Sequence, residues 1–426
     1  MSEVYGLFLA AAVIFVGFLG AFLLNRKNIP DAIFLIAFGY FLGHYSGWLD
    51  PQQFSNIAAY IGALALIAIM FESSLDIDLN ELLVSAKPAL IMALGGFILS
   101  TIATFFVLHY VFRFAPDNPL YSILVGTIVG GGSGAVIASI APRISIPSSL
   151  QLTLSLESVL TDVFVIVFTL TVLSILRNQV VGGVAGIDLS GIAGQIAARF
   201  STSLVLGFIG GIVLSNLIFR FKKEQHIYVM TFAYLIMLYA GAEFVGGSGA
   251  ITILTTGIIV ANLAYLPQFM AGSNVVDVVR YQLFSMESTH AELTLLIRVF
   301  FFVEVGLILD LSNLNLILIS LLLSIILLFV RYPLSYYISK GLGFRRKAGT
   351  AASIASVFYA RGLAAAVMAI IVAQQTVQVG EVWVPVVPPE ISSSILTIAS
   401  AVILFTNIIL TVGVVLLKEK AKDLLI

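Results

Sequence analysis

The chain has no cysteine, which excludes disulfides, thiol nucleophiles and cysteine-held metals and leaves the redox compartment without a marker. Charge is almost as scarce. Asp, Glu, Lys and Arg make up 10% of 426 residues against a 60% hydrophobic share, far from the roughly 25% charged mixture of soluble domains. A net charge of −1 offers no basic surface for nucleic acid and no acidic tail, so no nucleic-acid partner is expected. HExxH, a Walker-type phosphate loop and a nucleophile–base pair are all missing, so neither an enzyme nor a cofactor is expected. The GGGSGA stretch has a serine between glycines but lacks the strand–turn–helix context of a nucleophile elbow.

What is present is long apolar sequence, with a mean hydropathy of +1.10. At about 20 residues per crossing of the hydrocarbon layer, spans fall near 4–24, 30–46, 53–73, 86–112, 119–141, 149–176, 190–218, 226–244, 247–264, 288–309, 312–338, 348–374 and 391–417. Arg26 and Lys27 follow the first run rather than precede it, so that run reads as a spanning helix and not as a cleaved signal. Thirteen spans put the termini on opposite sides of the membrane. Nearly all Lys and Arg outside the spans then share the C-terminal side, against Arg113 and Arg177 opposite. The positive-inside rule makes that side cytoplasmic, with the N terminus outside a multi-pass plasma-membrane protein. The longest connection, 265–287, is expected to be an interfacial helix and loop. Trp48 and Trp383 fall near outer ends, where interfacial anchors belong.

Thirteen divides as six, a linker helix and six, an offset of seven that inverts the second set relative to the first. The fold class expected is an all-α membrane protein of two inverted six-helix repeats, a transporter architecture. Interruptions fall at corresponding places in the two sets. Span five carries Gly130, Gly131, Gly132 and Gly134 around Ser133, although each glycine costs a helix about 0.8–1 kcal/mol relative to alanine. Span twelve carries Arg361 and Gly362 at mid-depth. Such breaks point to a midplane ion site lined by backbone, although glycines also serve close helix packing in membranes.

Ionisable groups well inside spans are few: Glu72, Glu157, Asp162, Arg298, Glu304 and Arg361. Each costs roughly 2.5–3.5 kcal/mol on insertion scales, which makes each a functional-site hypothesis. Asp162 is the first candidate, because Ser158 shares its helix face and the two oxygens suit a hard monovalent cation, or a proton on the carboxylate. The alternative is a carboxylate buried only to pair with an arginine. Glu157 points elsewhere and is read as the buried partner of Arg361, tying span six to span twelve, against direct cation binding. Glu72, at the cytoplasmic end of span three, either faces water or extends the ion path. Glu304 in span ten is a second proton site or a partner of Arg331 or Arg298, although Arg298 does not share its face. His44, His109, His226 and His290 fall near predicted helix ends and read as interfacial groups.

In their order and spacing these residues resemble the NhaP-like sodium/proton exchanger branch of the monovalent cation:proton antiporter superfamily, over nearly the whole chain. FESSL at Glu72 is similar to the family's FEGGL. LESVLTD is similar to its ESxxND, with Glu157, Ser158, Thr161 and Asp162 in register. GSGAITILTTGIIVAN, RVFFFVEVGLILDL and YARGLAAAV extend the likeness. The resemblance implies an NhaA-like antiporter fold with two crossed, partly unwound helices. It implies a homodimer in which a core bundle, from spans near 86–176 and 312–417, moves against a dimerisation scaffold, from spans near 4–73 and 190–309. It also implies Asp162 as the carboxylate that takes cation or proton, Ser158 as a cation ligand with Thr161 beside it, Glu72 as a contributor, and Glu157–Arg361 as a structural ion pair. The substrates would be protons and a monovalent cation, sodium first. Potassium/proton exchange is the nearest rival, and a non-coupled channel or sensor on the same fold is the rival from another class.

Two departures from the family pattern matter. Thr161 stands where the exchanger branch has Asn and the electrogenic branch has Asp, and a single carboxylate favours electroneutral, one-for-one exchange. The family's TDP motif falls on Gly132, Ser133 and Gly134, which lack its aspartate. The Ser133 hydroxyl and the carbonyls around Gly130–Gly132 are the groups that would stand in for it.

Overall fold

Backbone inside a hydrocarbon layer has no water to bond to and must satisfy itself, which leaves the helix as the default for apolar runs of this length. The computed structural model describes residues 3–25, 30–46, 51–75, 79–133, 137, 140, 144, 146–182, 189–224, 226–263, 273–380, 382–422 and 424. Helices dominate them: α1 Glu3–Asn25, α2 Asp31–Tyr40 with a π-helical turn Phe41–Tyr45, α3 Pro51–Leu75, α4 Leu79–Phe106, α5 Pro119–Ile128, α6 Ser148–Gly182 and α7 Leu189–Arg220. The second half continues with α8 Ile227–Phe244, α9 Gly249–Ala261, α10 Ser273–Ile308, α11 Leu314–Gly341, α12 Ala348–Val357, α13 Leu363–Gln374 and α14 Pro389–Lys422. Among the described residues six helices are long and apolar enough to cross a membrane, and shorter apolar helices accompany them.

The helices form two compact units. One comprises Met1–Ala59, Ser85–Gly183 and Arg298–Ile426; the other comprises Tyr60–Val84 and Val184–Ile297. In the second unit α7 lies along α9. Close approach there depends on small residues: a Cβ on Gly211 would sit 2.6 Å from Cβ of Ile259, and Thr256 donates to the Gly207 carbonyl at 3.2 Å. In the first unit α11 packs against α12 and α14, α13 packs against α14 and α6, and α5 packs against α6. Met92, Leu150, Leu154, Phe358 and Leu410 belong to one buried apolar cluster between them.

Both expected interruptions are present. Pro119 at the first turn and the Asn118 side chain, which accepts from Leu120 N at 3.1 Å, start α5. That helix stops at Ile128, and residues 130–133 are not helical. In the second half, residues 358–362 are extended between α12 and α13. The glycines of span five serve the break and the packing together. A Cβ on Gly131 would lie 2.5 Å from Cγ2 of Val165 and 2.9 Å from the Thr161 carbonyl oxygen, so only glycine lets the unwound strand rest on α6. At Gly362 a Cβ would overlap the side chain of Ser133, so the two breaks meet there.

The structure corrects several expectations. The chain is not wholly helical, since Thr376–Val379 and Val382–Pro385 pair as an antiparallel hairpin, β1 and β2, between α13 and α14. Alternating valines and a turn glycine, Gly380 at φ 64°, suit a hairpin better than a continuing helix. Trp383 projects from it, exposed. Residues 273–287, expected as interfacial helix and loop, instead extend span ten into the long helix α10. His290 is therefore interior and buried, with its ring nitrogens on the Tyr228 hydroxyl at 2.9 Å and the Ala68 carbonyl at 3.1 Å. Trp48, Gly134 and residues 265–272 lie outside the described residues.

The contact between the breaks is testable. Gly362→Ala should lower the thermal unfolding temperature of the purified protein, and adding Ser133→Gly should recover most of the loss. If the double variant is no more stable than the single one, the contact is not what limits this position.

Candidate ion site at the meeting of two broken helices

Two successive turns of α6 set out the site. Glu157 and Ser158 are buried, Thr161 is buried, and Asp162 is half-buried. Ser158 donates to the Ser155 carbonyl at 2.7 Å and Thr161 to the Ser158 carbonyl at 3.1 Å. Thr161 also accepts the Gly132 N–H at 3.0 Å. Its hydroxyl thus works as a clamp, holding the span-five break one residue away from the Asp162 carboxylate. Ser133, itself buried, continues that break against Gly362.

Arg361 closes the other side. Its guanidinium donates through Nη1 to the Gly131 carbonyl at 2.7 Å, placing a cation at the carbonyl-rich end of α5, the negative pole of that half-helix. Its backbone is held in turn by α14. Thr406 Oγ1 accepts Arg361 N–H at 3.1 Å, and Asn407 Nδ2 donates to the Arg361 carbonyl at 2.9 Å. Sequence reasoning missed Thr406 and Asn407. The signal available was two adjacent polar residues in an otherwise apolar span.

The expected ion pair is corrected. Glu157 pairs with Arg331 of α11, not with Arg361, in a two-pronged contact in which Nη1 donates to Oε1 and Nη2 to Oε2. Arg331 also donates through Nε to the Ala355 carbonyl at 3.2 Å. The reason is placement: Arg331 sits beside Glu157, and the pair lies against Gly96 of α4, where even a Cβ would make only ordinary contact with it. Arg361, held in the extended segment, is already turned to Gly131. Arg298 and Arg331 are likewise not partners of Glu304. Arg298 meets the buried Asp31 at 3.4 Å, and both Glu304 oxygens lack a hydrogen-bond partner.

Glu72 belongs to the other compact unit and is half-buried in the last turn of α3. It lines a cavity of about 440 Å³ with Tyr228, Arg280, Phe284 and His290. Among the described residues no group of three or more His, Cys, Asp or Glu could hold a metal. What the α6 site offers a cation is one carboxylate, hydroxyls and backbone carbonyls. Those are hard oxygen donors, suited to an alkali ion in transit rather than a resident transition metal.

Comparisons with known proteins bear on the family and the fold. The sequence profile described as "Sodium/hydrogen exchanger, transmembrane" matches residues 10–419. Curated relatives include the proteins named K(+)/H(+) antiporter NhaP2 of Shewanella sp. (strain ANA-3) and Shewanella baltica (strain OS223). They are 26% and 25% identical over 240 residues, which is 56% of this chain and 40% of each relative. The match thus spans two-fifths of the length of those relatives. Among solved structures, the sodium proton antiporter MjNhaP1 from Methanocaldococcus jannaschii at pH 8 matches with a TM-score of 0.76 at 18% identity, covering 100% of this chain and 98% of that one. An electron-microscopy map of the same antiporter matches at 0.72, covering 99% and 98%. Likeness of this extent shows a common fold.

Removing one partner of a buried pair strands the other charge, at about 3–5 kcal/mol. Glu157→Gln and Arg331→Met should each reduce the yield of folded protein and its thermal stability by that order, while the double variant should be more stable than either. Arg361→Met should not be rescued by Glu157→Gln. Rescue of that combination, read by thermal unfolding in detergent, would contradict the pairing.

Proposed function

The chain belongs to the sodium/hydrogen exchanger family, and on that premise we propose that it is a membrane antiporter that exchanges a monovalent cation, sodium first, for protons at Asp162. The observation that carries the reading is the position of that carboxylate. It is half-buried, one residue from the clamp that holds the span-five break, and on a helix whose other acid is already neutralised by Arg331.

The mechanism follows from the cost of moving charge. An ionised carboxylate is expensive at membrane depth, so the site crosses readily when Asp162 carries a proton or a cation and poorly when it carries neither. Competition for one carboxylate couples the two fluxes. Ser158 and Ser133, with the carbonyls about Gly130–Gly132, supply neutral oxygens to a partly dehydrated cation, while Thr161 keeps the break in register. Thr161 carries no charge, so each cycle moves one cation against one proton and the exchange is electroneutral. In this reading a homodimer lies in the plasma membrane with the N terminus outside. Its spans near 86–176 and 312–417 carry the site, and those near 4–73 and 190–309 form the scaffold. Glu72 in its cavity extends the cation route, and no catalytic chemistry or cofactor is required.

Potassium is the second reading, favoured by the names of the curated relatives and by the Gly-Ser-Gly at 132–134, which lowers the charge around the ion. A non-coupled channel would pass current without building a proton gradient.

In proteoliposomes, imposed gradients of sodium, lithium or potassium should drive proton movement in the wild type, with sodium the most effective, and Asp162→Asn should fall to the protein-free background. Proton movement that survives Asp162→Asn would remove the central claim. A larger response to potassium than to sodium would move the substrate to the second reading.

A further inference from the structure

We propose that Glu304 is a second proton-binding site, separate from Asp162, in which the side chain is held as a neutral carboxylic acid. Glu304 is 1% exposed, and among the described residues neither of its oxygens has a hydrogen-bond partner. An ionised carboxylate so placed would lose its hydration with nothing in exchange, a cost that buried groups avoid by binding a proton.

The nearby charges are committed elsewhere. On its own helix, Arg298 meets Asp31 of α2 at 3.4 Å. Of the other titratable groups of α2 and its π-helical turn, Tyr40 and His44 stack on each other with ring centroids 4.5 Å apart, and Tyr45 is exposed. Beyond the end of α10, Asp310 accepts from the hydroxyl and the N–H of Ser312. Those bonds, with His44 adding to them, hold its carboxyl below the usual range. Where α1 meets α10 it brings Gly17 against Val299, with no charge.

The α2 helix packs closely on this stretch of α10. A Cβ on Gly306 would lie 2.8 Å from Tyr40 N, and Gly39 comes equally close to the Val303 backbone, so α2 and α10 touch through their main chains on both sides of position 304. That contact falls on the face of α10 that carries positions 299, 303 and 306; position 304 lies about 100° round the helix from 303, and what closes Glu304 off from solvent is its own burial. Among the described residues neither oxygen of Glu304 has a hydrogen-bond partner and no group of three or more His, Cys, Asp or Glu could hold a metal ion, so the ligand is the proton alone and the site does not carry the exchanged cation.

The probe is N,N′-dicyclohexylcarbodiimide, which reacts with protonated carboxyls in apolar surroundings. The acid proton goes to one carbodiimide nitrogen and the carboxyl oxygen bonds to the central carbon. An oxygen-to-nitrogen acyl shift then gives an N-acylurea with no leaving group and no change of oxidation state. Peptide mass spectrometry of the purified full chain should find the adduct on Glu304 in wild type and in Asp162→Asn, not on Glu157, and not at that position in Glu304→Gln. An adduct on Asp162 with none on Glu304 would overturn the proposal. Where the reagent reaches neither acid, unfolding in detergent decides. From about pH 6 to about pH 9 the unfolding temperature of Glu304→Gln should rise relative to wild type, because only wild type has a proton to lose. A gap between the two that stays constant over that range would overturn the proposal. Neither readout depends on transport, so each stands or falls apart from the exchange assay.

Discussion

Every ionised group within the apolar interior must be matched, and the core of this protein is a set of solutions to that one demand. Glu157 and Arg331 neutralise each other across α6 and α11, and Asp31 and Arg298 do so at the start of α2. Arg361 is matched differently, by a carbonyl at the end of a half-helix rather than by an acid. The distinction has consequences. A salt bridge between two side chains fixes two helices to each other, whereas a guanidinium on the Gly131 carbonyl needs that segment to stay unwound. The break in span five and the charge in span twelve therefore depend on each other, and Thr406 and Asn407 hold the arginine where that dependence works.

The same demand explains the division of labour on α6. Five residues separate Glu157 and Asp162, which puts them on different faces and gives them different neighbours. One face meets Arg331 and becomes architecture. The other adjoins the clamp between Thr161 and Gly132 and stays half open. A residue with a shorter or apolar side chain at 161 would leave the Gly132 N–H without its partner and free the strand that carries Ser133. Threonine does with one hydroxyl, accepting on one side and donating on the other, what a larger amide does with two groups.

Much of this was legible in the sequence, because some signals are local. A run of glycines in an apolar span and an Arg-Gly in its counterpart announce breaks, since a continuous helix pays for both. Acids in such spans announce themselves by their cost. The partner of Glu157 was not legible: Arg331 and Arg361 are equally basic on paper, and the choice rests on where the non-helical segment aims Arg361, towards the Gly131 carbonyl. The hairpin 376–385 was hidden because its valines read as apolar sequence whatever their period. His290 was misplaced for a similar reason, since the polar stretch before it gave no hint that α10 continues unbroken from Ser273.

The least conventional feature is what surrounds Asp162. With Gly132, Ser133 and Gly134 where the family resemblance leads one to expect a second acid, the proposed site has one carboxylate rather than two. A cation then meets a weaker field and relies more on neutral oxygens, which discriminate among alkali ions by how cheaply each sheds water rather than by charge density alone. The same substitution simplifies the electrostatics of the crossing. Arg361 has no second carboxylate to answer and can be spent on the backbone of the break. The absence of an acid at 133 and the turning of Arg361 towards Gly131 thus go together: the arginine is answered by a main-chain carbonyl, and on the proposed reading Asp162 is left as the charged side chain of α6 offered to a cation.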